Sequence, residues 1–77
     1  MAIERKLSNR LKNVRTGKGL TQTELAARLG VSRKTVNTVE NGIFIPSTLL
    51  ALAMAETLGV TVEDIFRLEP DNSAPPA

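Results

Sequence analysis

Cysteine and histidine are both absent from this chain of 77 residues. Without cysteine there is no disulfide and no thiolate metal site to supplement the core. A domain this small must therefore hold together by packing its 42% hydrophobic residues. With neither residue present, and no polar cluster suggesting a buried acid or nucleophile, the sequence offers little for catalysis. Glu63 and Asp64 are adjacent, so on a helix they point in different directions and read as first-turn partners of the helix dipole. The expectation is no enzyme, no metal and no cofactor. A long apolar run is also missing. Arg5 and Lys6 near the start are not followed by one, which predicts neither a signal peptide nor a membrane span. The predicted location is cytoplasmic, and the lack of cysteine fits a reducing compartment.

The net charge is only +2, but its distribution is uneven. Residues 1–34 hold nine basic side chains (Arg5, Lys6, Arg10, Lys12, Arg15, Lys18, Arg28, Arg33, Lys34) against Glu4 and Glu24, a net of +7. From Thr35 onward Arg67 alone is basic, against six acidic residues, a net of −5. A basic half is the electrostatic footprint of a phosphate-backbone partner.

Helical periodicity dominates, and no segment reads convincingly as a strand. A first helix is predicted over residues 7–17, with Leu7, Leu11 and Val14 spaced i, i+4, i+7. Thr21 and Glu24 form a capping box, and Leu20 and Leu25 a hydrophobic staple, at the start of a second helix that stops at Gly30. Ser32 caps a third, which buries Val36 and Val39 and ends at Asn41-Gly42. Ser47 caps a fourth that runs to Leu58. Thr61 and Asp64 repeat the capping box for a short fifth, predicted to end near Leu68. Residues 70–77, P-D-N-S-A-P-P-A, have almost nothing to bury and read as a disordered tail.

The third helix carries its charges at the unfavourable ends. Arg33 and Lys34 open it where the dipole is positive, and Glu40 closes it where the dipole is negative. Each placement costs about 0.3–1 kcal/mol on an exposed helix unless a partner compensates. An external polyanion suits the two cations, and an internal cation suits Glu40. Between Leu29 and Ser32 stand only Gly30 and Val31. The second and third helices must therefore cross steeply through a short turn, with small Ala26 at their closest approach. Such an exposed third helix fits the DNA major groove, its first residues nearest the base edges.

The run Q-T-E-L-A-A-R-L-G-V-S-R-K-T-V-N-T-V-E-N over residues 22–41, followed by E-N-G, I-P-S and L-G-V-T-V-E-D-I-F, resembles the helix-turn-helix of the Cro/C1 repressor family. The likeness extends over residues 7–68. It implies an all-α, five-helix bundle of the lambda-repressor-like DNA-binding domain type, with the helix-turn-helix at the second and third helices. Residues 1–6 would then be a partly flexible arm, and 69–77 the tail. The resemblance implies base reading by Arg33, Lys34 and Thr38, with Asn37 beside them. By chemistry the cations suit guanine O6 and N7, and Asn37 suits adenine. Thr21, Gln22, Ser32 and Asn41 match positions that contact the phosphate backbone. Gln22 matches a glutamine that also braces the recognition helix. Arg15 matches an arginine that pairs with the helix 3 glutamate, here Glu40.

The sequence departs from the family after E-N-G, where basic or polar residues are common and Ile43, Phe44 and Ile45 stand instead. The fourth helix is also apolar around most of its circumference: Leu50, Met54 and Leu58 form a core stripe, leaving Leu49 and Leu52 over. Either this helix is simply the most enclosed one, or a homodimer covers the surplus through residues among Ile43, Ile45, Leu49, Leu52, Ile65 and Leu68. The functional expectation is a dimeric, sequence-specific regulator of double-stranded DNA, a repressor reading a palindromic operator. The alternative is an antitoxin or other protein-interaction partner that also binds its own operator.

Overall fold

Four helices begin where a hydroxyl side chain meets an otherwise unpaired backbone amide. A computed structural model describes residues 5–70. It contains α1 (Leu11–Gly17), α2 (Gln22–Leu29), α3 (Arg33–Glu40), α4 (Thr48–Leu58) and α5 (Val62–Ile65), with strands β1 (Leu7–Asn9) and β2 (Phe66–Leu68). Thr21 accepts from the Glu24 amide at 3.0 Å, and the Glu24 carboxylate accepts from the Thr21 amide at 3.0 Å. Thr61 and Asp64 repeat the box at 3.2 and 2.9 Å. Ser32 and Ser47 cap α3 and α4 through the amides of Thr35 and Leu50. Each such cap is worth about 1 kcal/mol. At the end of α2, Gly30 turns into the left-handed region (φ +73°), where a Cβ would cost about 1–2 kcal/mol.

The core forms where these helices converge. Leu11, Leu25, Val36, Val39, Met54 and Ile65 are fully enclosed, and Ala26 of α2 is buried with them; α2 and α3 are the pair of helices in most extensive contact. A side chain larger than alanine at that position would overpack the core. Met54 and Leu58 bring the inner side of α4 into this core, whereas Leu49 is 79% and Leu52 54% exposed. One side of α4 therefore faces outward.

Two sequence expectations are corrected. Residues 7–10 do not belong to the first helix, and 66–68 do not extend the fifth. They form a two-stranded antiparallel sheet with Leu7 opposite Leu68 and Asn9 opposite Phe66. Backbone hydrogen bonds from Arg10 to Ile65 (2.7 Å) and from Glu69 to Lys6 (2.8 Å) continue the ladder at both ends. The Arg5 guanidinium donates twice more to the Glu69 carbonyl, at 3.0 and 2.9 Å. Pairing across the two ends of the domain satisfies the backbone groups that the two strands turn toward each other. Ile65 is also only 1% exposed, so it fills the core and is removed from the expected dimer face. The remainder of the expected arm and tail, residues 1–4 and 71–77, lies outside the described residues.

Candidate nucleic-acid interface

The geometry of α3 follows from which of its residues the core claims. Val36 and Val39 point inward, which turns Arg33 and Lys34 out into solvent at the start of the helix. No acidic residue occupies the first turn of α3. Asn37 and Thr38 are half-buried one turn further along. The Asn37 side-chain oxygen accepts from the Asn41 amide at 3.2 Å. The Thr38 hydroxyl turns back onto its own helix, within 3.0 Å of the carbonyls of both Lys34 and Thr35.

Behind this surface an ion pair fixes the helix. Arg15 Nε donates to Glu40 Oε2 at 2.6 Å and Nη2 to Oε1 at 3.2 Å, while Nη1 reaches the Leu20 carbonyl at 2.8 Å. Gln22 Nε2 is the third donor to the Glu40 carboxylate, reaching Oε1 at 3.0 Å. The side chains of Arg15 and Glu40 are 9% and 3% exposed, so both charges are withdrawn from water. The hydrogen bond to Glu40 holds the Arg15 pKa above its ordinary value, against the opposing effect of burial. An acid at the negative end of α3 is thereby neutralised by a cation from α1, with an amide from α2 completing the cluster. Three helices meet at one carboxylate, which fixes their mutual angles more than it adds net stability.

The residues expected at the phosphate backbone are spread around the edge of α3. Thr21 and Ser32 use their oxygens as cap acceptors, and the Ser32 and Thr35 hydroxyls bond each other at 3.0 Å. Gln22 has one amide hydrogen committed to Glu40. Asn41 stands exposed at the end of the helix. Beside α3, Ser32, Lys34, Thr35, Thr38, Ile43 and Phe44 line an open cleft of about 330 Å³. Ile43 thus faces the recognition helix. Ile45 instead lines a separate depression with Leu7, Pro46 and Phe66, and Leu52 lines a third with Leu7 and Val62.

One residue escaped the sequence reading. The Asn9 amide donates to the Val39 carbonyl at 3.1 Å, while its oxygen accepts from the Leu11 amide at 3.3 Å. An asparagine two residues before the first buried leucine was the only local signal.

A profile of the HTH_3 family, described as helix-turn-helix, matches residues 11–65. The chain belongs to this Cro/C1-type helix-turn-helix family. An uncharacterized HTH-type transcriptional regulator of Methanocaldococcus jannaschii is 46% identical over 65 residues, 84% of this chain and 98% of that protein. The uncharacterized HTH-type transcriptional regulator YgzD of Bacillus subtilis is 38% identical over 66 residues, 86% of this chain and 100% of that protein. Among solved structures, the restriction-modification controller protein C.AhdI of Aeromonas hydrophila superposes with a TM-score of 0.67 at 35% identity. That match covers 70% of this chain and 82% of the controller. The chain is therefore a transcriptional regulator with a helix-turn-helix DNA-binding domain, and not an enzyme. Among the described residues, no helix is long and apolar enough to cross a membrane.

Proposed function

We propose that this helix-turn-helix regulator is a dimeric, sequence-specific repressor that reads a palindromic operator through α3 in the major groove. The observation that carries the reading is the outward presentation of Arg33 and Lys34 at the leading end of a helix held from behind by Arg15, Gln22 and Glu40. Cations at that end lose energy against the helix dipole in the free protein and regain it beside phosphates or guanine edges. Thr21, Gln22, Ser32 and Asn41 would set the register on the backbone without reading sequence. Thr38 and Asn37 would follow Arg33 and Lys34 along the bases.

Dimerisation is supported by Ile45, Leu49, Leu52 and Leu68, between 50% and 79% exposed, a large apolar total for a domain of this size. Two domains related by a two-fold axis read half-sites about 34–36 Å apart, which multiplies the limited interface of one module. A bound dimer whose operator overlaps a promoter would repress by occupancy alone. The same leucines would serve a protein partner in an antitoxin-like arrangement, and co-purification of a stoichiometric second protein from the source cell would favour that reading.

The deciding experiment is selection of bound duplexes from random DNA, followed by gel shift and sedimentation of the complex. The expected result is an enriched palindrome bound by two copies, with affinity that falls steeply with salt. No enrichment over random sequence, or a single copy bound to a site without symmetry, would overturn it.

A further inference from the structure

Thr38 stands where a hydrogen-bonding reader of bases is expected, yet its hydroxyl lies within 3.0 Å of the backbone carbonyls of Lys34 and Thr35. Its single donor hydrogen is already in use, so it offers an incoming base its methyl and an acceptor oxygen but no donor. The two hydroxyls nearby, on Ser32 and Thr35, are 3.0 Å apart and bond each other. Next to them come Ile43, 76% exposed, and Phe44, 45% exposed. This loop is not loosely hung. The Ile43 and Phe44 amides both donate to the Thr38 carbonyl, at 2.9 and 3.2 Å, so the two apolar side chains are held in register with α3. The result is a cleft lined by Ser32, Lys34, Thr35, Thr38, Ile43 and Phe44, in which Lys34 supplies the charge.

We infer that this cleft, on the flank of the helix proposed to enter the major groove, takes the 5-methyl group of a thymine. The inference rests on the reading of α3 as the base-reading helix and adds to it a named base. Four arguments converge. The thymine methyl is the one apolar group displayed in the major groove, and threonine methyls and phenylalanine are its usual contacts. Of the three hydroxyls in the lining, Thr38 spends its hydrogen on its own helix and the Ser32–Thr35 bond uses one more, so a single donor hydrogen is left for a base edge. Lys34 at the rim supplies the lining's one cation, which the neighbouring base edge or phosphate can meet. Finally, four of the six residues lining the cleft belong to α3 or its cap, whereas the Leu52 depression holds no residue of α3 and the Ile45 depression only Val39. Ile43 is therefore assigned to the DNA and not to a contact between protein copies.

The test uses the whole chain and a duplex obtained by selection from random DNA. Each thymine is replaced singly by deoxyuridine, which removes the methyl and leaves every hydrogen-bonding group unchanged. At one position in each half-site, affinity should fall about fourfold, the equivalent of exposing one buried methyl group. In Ile43→Ala the difference between thymine and uracil at that position should shrink toward one, while the change of a guanine elsewhere in the site costs as much as before. Because Ile43 stands clear of the core, its melting temperature should match the parent. Equal binding of thymine and uracil at every position overturns the inference even when the duplex is bound tightly. So does an Ile43→Ala protein that sediments at half the mass and keeps the thymine preference. Failure to select any duplex would instead overturn the base-reading role of α3 itself.

Discussion

The Asn9 amide nitrogen lies 3.1 Å from the Val39 carbonyl oxygen, which joins β1 to the C-terminal turn of α3. The same side chain accepts the first free amide of α1. One residue thus sets the sheet, α1 and the end of the recognition helix against one another. Asn9→Asp keeps the acceptor and replaces the donor by a second acceptor facing Val39. It should lower stability by about 1–3 kcal/mol, measured as the urea midpoint. Below the unfolding transition it should also reduce the ratio of operator to random-DNA affinity. Asn9→Ala, which leaves no repulsion, should affect the ratio less.

Arg15 and Glu40 should prove strongly coupled. Arg15→Ala leaves a buried carboxylate with only Gln22 as donor, and Glu40→Ala leaves a buried guanidinium, so each should cost about 3–5 kcal/mol. The double variant should cost much less than the sum. Denaturant titration of the four proteins of the cycle checks this, and additive losses would show that the charges do not interact.

Arg33→Ala leaves the fold untouched, since the side chain is exposed. On the selected operator it should cost about 1–3 kcal/mol and relax preference at one base pair, with the salt slope nearly unchanged. A uniform loss on all sequences, with the slope reduced by about one, would place Arg33 on a phosphate instead.

Leu52→Glu puts a charge into the outward side of α4, where the native side chain is 54% exposed. The thermal midpoint at low concentration should change little. Sedimentation at micromolar concentration should move from dimer to monomer, and binding to the two-half-site duplex should weaken while binding to one half-site persists.

The two capping boxes should make stability acid-sensitive. The Thr21 amide, aided by the Thr21 hydroxyl, holds the Glu24 carboxyl below its ordinary value of 4.5. The Thr61 amide and hydroxyl hold Asp64 below 3.8. A depressed carboxylate pKa in the folded state means that the unfolded chain binds the proton first on acidification. The contribution is therefore complete above the ordinary values and is lost as pH falls through the depressed ones. Thermal melts should show midpoints that are level near neutrality and drop below about pH 4.5. Glu24→Gln, which cannot titrate, should flatten the part of that drop due to α2.

What could be read from the sequence was local. Thr21 with Glu24, Thr61 with Asp64, Ser32 and Ser47 each specify a helix start within four residues, and all four caps are present. Val36 and Val39 gave the orientation of α3 in the same way. The sheet could not be read, because each strand is three residues long and its partner lies 59 residues away at the Ser8–Arg67 pair. Leu7, Leu11 and Val14 matched a helical period by coincidence: Leu7 belongs to β1, and Phe66 takes φ −118° and ψ 134°, ending α5 before Leu68. Ile65 was misassigned for the same reason, since a longer fifth helix would have offered it to a partner. Asn9 and the cleft at Ile43 depend on contacts between elements distant in sequence, and no period or cap reports those.

The ladder that pairs Leu7 with Leu68, and the guanidinium that clasps Glu69 from Arg5, bring both ends of the folded unit to one place. A tether joining them would need to bridge only a small gap, so a circularly permuted version cut after Ile45, beyond the two amides that hold Ile43 and Phe44 to Thr38, should retain the architecture. In a tandem fusion, by contrast, the linker leaves the first copy beside its own entry point. It must then cover the full spacing between two sheets before the second copy can settle on its half of the site.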